Sequence, residues 1–337
     1  MSTHFPKFSF IVTFYNFEKY VDNCMESIKN IKIPTEYEIL VGDDNSSDKT
    51  REKLEYWKSY FGEDKFKMII GNRNDGCNNG QVRVSNLRKK LLKETTGDYI
   101  LYLDGDDFYC NTEFIIDSIE LIQKNPNVSV FMFKYQKFDG ENNIEANTIN
   151  LEEGLVDKSL YLRTRYVHAG ACIFKKIKNE KFNQMVEKSW FYDDNIIIIY
   201  HICFGDLYHI PKTILSYRVL TSSQWHSMTE EQQRVNICVI LGGAAFLAKE
   251  FEYDIFYHYK DRIIYSYLIR KNMEAKIGKE FYNKHKNYAI GGLGKTIMDY
   301  YNATKEDKEE ANKTMERIKN IDIELYKKLE LEVESSS

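Results

Sequence analysis

The segment "DYILYLDGDDFY", residues 98 to 109, places Asp104, Asp106 and Asp107 within four positions, directly after an apolar run. Their mutual repulsion costs stability unless a positive charge joins them. Carboxylates on a turn that Gly105 leaves free of a side chain form a hard oxygen site for Mg²⁺ or Mn²⁺, and such an ion could hold a diphosphate. The plainer reading is an acidic turn ahead of a helix over "NTEFIIDSIELIQKN", with Asn111 or Thr112 as its N-cap. A second acidic stretch, "GDD" at 42 to 44, favours the site.

These carboxylates need a scaffold, and the first half of the chain supplies an alternating one. "FSFIVTF" (8 to 14), "YEILVGD" (37 to 43), "FKMII" (66 to 70) and "DYILYL" (98 to 103) are short apolar runs of the kind that form strands covered on both faces. Between the first two, Val21, Cys24, Ile28 and Ile31 recur at helical spacing. Ser46, Ser47 or Asp48 is placed to cap the next helix, whose apolar face carries Leu54 and Trp57. "QVRVSNLRKKLLKE" reads as a third helix. This order predicts an α/β fold, a mainly parallel sheet flanked by helices, with ligands bound beyond the carboxyl ends of the strands. Both acidic stretches fall there.

Composition narrows the class. The chain has 337 residues, 43% hydrophobic and 14% aromatic, enough for a large domain and a smaller one. Net charge is −4 and the lysines and arginines are dispersed, which argues against nucleic acid as a partner. The six cysteines form no C-x-x-C pair, so neither a zinc site nor a disulfide framework is expected. No signal-peptide pattern or apolar run of membrane-spanning length is found, and the expected location is cytoplasmic.

"FSFIVTFYNFEKYVDNCMESI", "YEILVGDDNSSDKT" and "TTGDYILYLDGDDFY" resemble, in order and spacing, the N-terminal signature of family 2 glycosyltransferases, which have the GT-A fold. The likeness is close over roughly the first 110 residues and looser to about residue 228. It implies an inverting, metal-dependent transfer from a nucleotide sugar, a UDP-sugar above all, to a hydroxyl of a glycan or lipid-linked acceptor in bacterial surface polysaccharide synthesis. It places Thr13 and Tyr15 near the nucleotide and Asp44 on the base. A carboxylate there can accept from a uracil N–H. Asp104 and Asp106 match the DxD motif, the first near the ribose and the metal, the second on the metal, with Asp107 in support.

The resemblance also implies a downstream acidic pair whose second member is the catalytic base. "SWFYDDNIIIIY" supplies Asp193 and Asp194, and Asp194 takes that role; capping the helix that follows is the competing task. Such a base removes the acceptor's proton as the oxygen attacks opposite the leaving diphosphate. By the same likeness His168 and Gly170 of "YVHAGACIFKK" approach the sugar, Arg218 or His226 of "LSYRVLTSSQWHSMT" reaches the diphosphate, and His226 is a candidate third metal ligand. A core role for His168 is the alternative. Where the family carries an Arg-Asn pair before the DxD strand, this chain reads "QVRVSNLRKK", and Arg83 or Arg88 fills the place.

Other classes fit less well. The first strand-to-helix turn, "FYNFEKY", lacks the G-x-G-x-x-G of a dinucleotide-binding oxidoreductase. "AIGGLGKT" (289 to 296) ends like a Walker motif but has Ala289 in place of the first glycine and no buried strand before it. A sugar-phosphate nucleotidyltransferase needs a glycine-rich basic loop after its first strand. A degenerate nucleotide-sugar binder without turnover is at odds with the intact acidic set. The expected organisation is a GT-A domain over 1–220, an α-helical C-terminal domain over 221–332 and a disordered tail over 333–337. In that second domain Gly242 to Ala245 would admit a close helix neighbour. Phe256, Tyr257, Tyr259, Tyr265 and Tyr267 suit a core, a homodimer contact or an acceptor wall. Peripheral contact with the inner face of a membrane is the most that its basic residues support.

Overall fold

A computed structural model describes residues 5–73, 80–146, 149–189 and 191–220, and part of 233–259. The chain divides into two compact units, one of Met1–Phe182 with Tyr192–Thr221, the other of Asn183–Phe191 with Ser222–Ser337.

The first unit is built on one ten-stranded sheet. Its strands are β1 (Phe8–Phe14), β2 (Tyr37–Asp43), β3 (Phe66–Ile70), β4 (Tyr99–Asp104), β5 (Phe108–Tyr109), β6 (Val128–Phe138), β7 (Asn143–Glu145), β8 (Gly154–Val156), β9 (Cys172–Lys175) and β10 (Asp206–Arg218). Its helices among the described residues are α1 (Val21–Lys29), α2 (Thr50–Phe61), α3 (Gly80–Glu94), α4 (Phe114–Lys124), α5 (Lys158–Thr164) and α7 (Asp194–Ile202), while α6 (Glu180–Lys188) runs from this unit into the second. All seven residues of β1 are buried, as expected for a strand covered on both faces. Val21, Cys24, Met25 and Ile28 form the buried stripe of α1.

The main strand order is β3-β2-β1-β4-β9-β6-β10-β5. The first four strands are parallel, so Thr13 lies beside Gly42 on one side and Asp104 on the other, at the carboxyl edge. The second half departs from the expected parallel pattern. β9 runs antiparallel to β4 and β6, β10 parallel to β6, and β5 antiparallel to β10. The sheet as a whole is mixed. The cause is the direction of entry: β9 leaves the short 3₁₀ turn Ala169–Ala171 at the carboxyl edge and so meets its neighbours head to tail.

Two helix starts also differ from expectation. Lys49, rather than Ser46, Ser47 or Asp48, occupies the N-cap of α2, while Asp48 accepts from the Thr50 N–H at 3.0 Å and Ser46 turns to Asp43. Glu113 occupies the N-cap of α4, and Asn111 accepts from its N–H at 2.8 Å. In both cases the short polar side chain closes a turn one step earlier. In the second unit Leu241, Ala244, Ala245, Ala248 and Tyr259 are buried, and Lys188 pairs with Glu250. Gly242, Gly243, Phe256, Tyr257, Tyr265, Tyr267, the segment 289–296 and the tail lie outside the described residues.

Candidate active site

The carboxyl edge of the parallel half carries the first group of site residues. β2 ends in Asp43, and Asp44 follows, its N–H donating to the Phe14 carbonyl at 2.9 Å. The buried Asp44 carboxylate accepts from Arg83 Nε at 3.0 Å and lies 3.9 Å from Arg73 Nη2. Arg73 also donates to the Asp44 carbonyl at 3.2 Å and covers the Tyr15 ring at 4.1 Å. Asp43 accepts from the Ser46 N–H and hydroxyl and from Nε and Nη2 of Arg51 at 3.2 and 3.1 Å. The two arginines on α3 thus divide the work. Arg83 holds Asp44, and Arg88 pairs with Asp104.

The turn after β4 is packed tightly. A Cβ on Gly105 would come within 2.1 Å of the Phe14 ring, so the position excludes any side chain. The Gly105 N–H donates to the Thr13 carbonyl at 2.9 Å, and the Thr13 hydroxyl donates to Asp104 Oδ1 at 3.2 Å. Burial works against charge on Asp104, but Arg88, helped by the Thr13 hydroxyl, holds its pKa below the ordinary value. Asp106 is pushed up to about 7 by burial and then by the Asp104 charge. Burial and the same two neighbours, Asp106 and Asp104, raise Asp107 well above the usual carboxylate range. Its Oδ1 accepts from the Arg218 N–H at 2.7 Å, whereas the buried Oδ2 has no hydrogen-bond partner among the described residues.

The downstream acidic pair comes to the same place. Asp193 is the N-cap residue of α7, yet its side chain makes no capping bond. Burial, and then the neighbouring Asp194, push it up to about 7. Ligand atoms of Asp104, His168 and Asp194 lie within 4.8 Å of one another, and His168 Nε2 is 3.5 Å from Asp194 Oδ2. Asp106 is not a member of this cluster. The rings of Tyr135 and Tyr217 pack against that of His168, with centroids 5.8 and 5.1 Å away. The Gly170 N–H donates to His168 Nδ1 at 3.1 Å, which accounts for Gly170 beside the site.

Arg218 binds within the protein through two of its three side-chain nitrogens. Its Nε donates to the Asp106 carbonyl at 2.7 Å and its Nη2 to Asn23 at 2.8 Å. The rings of Tyr20, Phe108 and Phe138 surround the guanidinium at 4.7, 5.4 and 4.9 Å. It braces the acidic turn from β10. His226 lies outside the described residues. Sequence reasoning misses Arg73, Arg51, Tyr135 and Tyr217, whose only signal is proximity in the fold. Arg88 is visible in sequence, but nothing there says which carboxylate it meets.

A sequence model described as Glycosyl transferase family 2 matches residues 9–182, just over half of the chain. The chain belongs to this family. Among curated proteins, this family 2 member is similar to the poly(ribitol-phosphate) beta-N-acetylglucosaminyltransferase TarS of Staphylococcus aureus, 31% identical over 135 residues, covering 40% of this chain and 22% of that protein. It is also similar to a GalNAc(5)-diNAcBac-PP-undecaprenol beta-1,3-glucosyltransferase of Campylobacter jejuni, 24% identical over 220 residues, covering 64% of this chain and 65% of that protein. The match thus spans about a fifth of the first relative and just under two thirds of the second. A crystal structure of S. aureus TarS 1-349 in complex with UDP-GlcNAc aligns with a TM-score of 0.58 at 18% identity, over 86% of this chain and 82% of that one. That agreement shows a shared GT-A fold.

Proposed function

We propose that this family 2 member transfers a sugar from a UDP-sugar to a hydroxyl of a glycan or lipid-linked acceptor, with inversion at the anomeric carbon and with the help of Mg²⁺ or Mn²⁺. The observation that carries the reading is that Asp194, from α7, arrives beside Asp104 at the carboxyl edge of the sheet. Binding and proton-accepting groups thereby share one place. The relatives' names support the donor and acceptor classes: one neighbour holds UDP-GlcNAc, and one relative acts on an undecaprenol-linked chain.

The roles follow from position. Asp44, fixed by Arg83, receives the uracil N–H, and the Tyr15 ring with Arg73 over it borders the base. The donor set suits a hard divalent cation: two carboxylates of one turn, Asp104 and Asp106, with Asp106 pushed up to about 7 by burial and by the Asp104 charge. Asp104 and Asp106 would hold it, with His226 as the third candidate. Bound there, it would neutralise charge on the leaving diphosphate. Asp194 takes the acceptor's proton, and Asp193 orients the acceptor or the turn. Such a protein would work on the cytoplasmic side, at most in peripheral contact with a membrane. No helix among the described residues is long and apolar enough to cross one. A homodimer through the C-terminal helices belongs to the same proposal.

Thermal unfolding with UDP tests the reading. UDP should raise the melting temperature with Mn²⁺ present and much less with EDTA; saturation a hundredfold above Kd corresponds to about 2.7 kcal/mol. Asp106→Asn should remove the difference. Equal stabilisation by UDP with and without metal would overturn the metal assignment.

A further inference from the structure

We infer that His168 positions Asp194 by donating a hydrogen bond from Nε2, and is not a ligand of the cation. The inference rests on the reading of Asp194 as the base. The convergence of Asp104, His168 and Asp194 looks at first like a three-ligand cage. The protons argue otherwise. A backbone N–H can only donate, and that of Gly170 points at His168 Nδ1 from 3.1 Å. Nδ1 therefore carries its lone pair, and the ring proton of the neutral imidazole sits on Nε2. An Nε2 that bears a proton has no in-plane lone pair left for a metal. Its proton is then the nearest donor to Asp194 Oδ2, with Nε2 and Oδ2 3.5 Å apart, the long limit of a hydrogen bond.

A metal on Nε2 would require the other tautomer, whose Nδ1–H would confront the Gly170 N–H. Neither group can readily withdraw. Gly170 is buried in the 3₁₀ turn Ala169–Ala171, closed by the Ala171 N–H donating to the His168 carbonyl at 2.9 Å. A Cβ at Gly170 would meet a methyl of Leu215 at 3.0 Å, so the backbone already lies close against β10. The rings of Tyr135 and Tyr217 pack against the imidazole. A flip of the ring within its own plane would set Cδ2–H against the Gly170 N–H and leave that donor without its acceptor. With Oδ2 of Asp194 held by the ring, Oδ1 is the oxygen left for the acceptor's proton. On the other side of the cluster, Arg88 keeps Asp104 ionised and available to a cation.

The tautomer can be read directly. In the full chain labelled with ¹⁵N-histidine, with UDP and diamagnetic Mg²⁺, the resonances lost in His168→Gln identify His168. We expect a pyridine-type Nδ1 and a pyrrole-type Nε2, unchanged when Mg²⁺ is added. A pyridine-type Nε2 in the presence of Mg²⁺ would overturn the inference. His168→Gln should also keep the Mn²⁺ dissociation constant, measured with UDP present, within about twofold while kcat falls at least about tenfold. A loss of about 10-fold or more in Mn²⁺ affinity would instead mark a ligand. The two readings fail differently. Full activity in Asp194→Asn with a proton on His168 Nε2 removes the base assignment, whereas an inactive Asp194→Asn with a proton on Nδ1 removes only the positioning role of His168.

Discussion

The two ends of the acidic edge differ in how their charge is met. At the end formed by β2, Asp43 and Asp44 face the guanidiniums of Arg51, Arg73 and Arg83. Where β4, β10 and α7 meet, Asp104, Asp106, Asp107, Asp193 and Asp194 share Arg88 and Arg218, and Arg218 gives Nε to a carbonyl and Nη2 to Asn23. The first end is balanced within the protein, so it can be stable and rigid before any ligand arrives. The second is short of positive charge. Burial then favours protonation, and Asp106 and Asp193 are both pushed up to about 7. A site left in that state gains most from a divalent cation and from positive charge developing on a sugar ring. On the function proposed above, the balanced end holds the nucleotide and the unbalanced end carries the chemistry.

The sharpest way to break this contrast is at Asp194. Asn keeps the size of the side chain and removes its capacity to take a proton. Transfer should fall by about 10²–10⁴-fold while UDP-sugar affinity stays near that of the wild type. Asp193→Asn should cost less. If Asp194→Asn transfers at a near-normal rate, the unbalanced end does not hold the base.

A smaller effect concerns stability in EDTA. Burial and the Asp104 charge push the native Asp106 carboxyl up to about 7 from an ordinary 3.8, so between those values the native state holds a proton that the unfolded chain has released. Its contribution to stability therefore declines as pH rises from about 4 to 7 and is at its least favourable above 7. Asp106→Asn has no such dependence. Its stability relative to wild type, from urea unfolding, should improve by about 2 kcal/mol between pH 5 and pH 7.5. Mn²⁺ with UDP should favour the wild type again. A difference that does not change with pH would mean that Asp106 is not short of positive charge.

How much of this was readable in advance depends on how local the cause is. The strands at Phe8–Phe14, Tyr37–Asp43 and Phe66–Ile70 are legible because their burial leaves unbroken apolar runs. β5, with two residues, and β8, with three, carry no such pattern; they are strands because β10 offers its edge. The carboxylates crowd together along the chain and are visible for that reason. Their partners are not. Arg83 and Arg88 lie on one helix, and only the positions of β2 and β4 send one to Asp44 and the other to Asp104. A resemblance can nominate Asp194, but the proton on His168 depends on a backbone N–H whose direction no residue pattern records.

The smallest effect is expected at the balanced end. Arg73 covers Tyr15 and lies 3.9 Å from Asp44, while Arg83, the less exposed of the two, makes the closer ion pair. Removing Arg73 leaves Asp44 paired, so what the base end loses is a half-buried stacking contact worth about 0.5–1 kcal/mol, together with a hydrogen bond to the Asp44 carbonyl. Arg73→Ala should therefore weaken UDP by about 2- to 5-fold, measured by calorimetry, with kcat unchanged. Arg83→Met should do more, because it leaves the buried Asp44 with only the distant Arg73 and costs part of the charge-assisted bond, about 1.5–3 kcal/mol. The order of the two variants is the test. If Arg73→Ala proves the more damaging, the Tyr15 stack rather than the Asp44 pair organises the base end, and the balance of charge there is incidental to nucleotide binding.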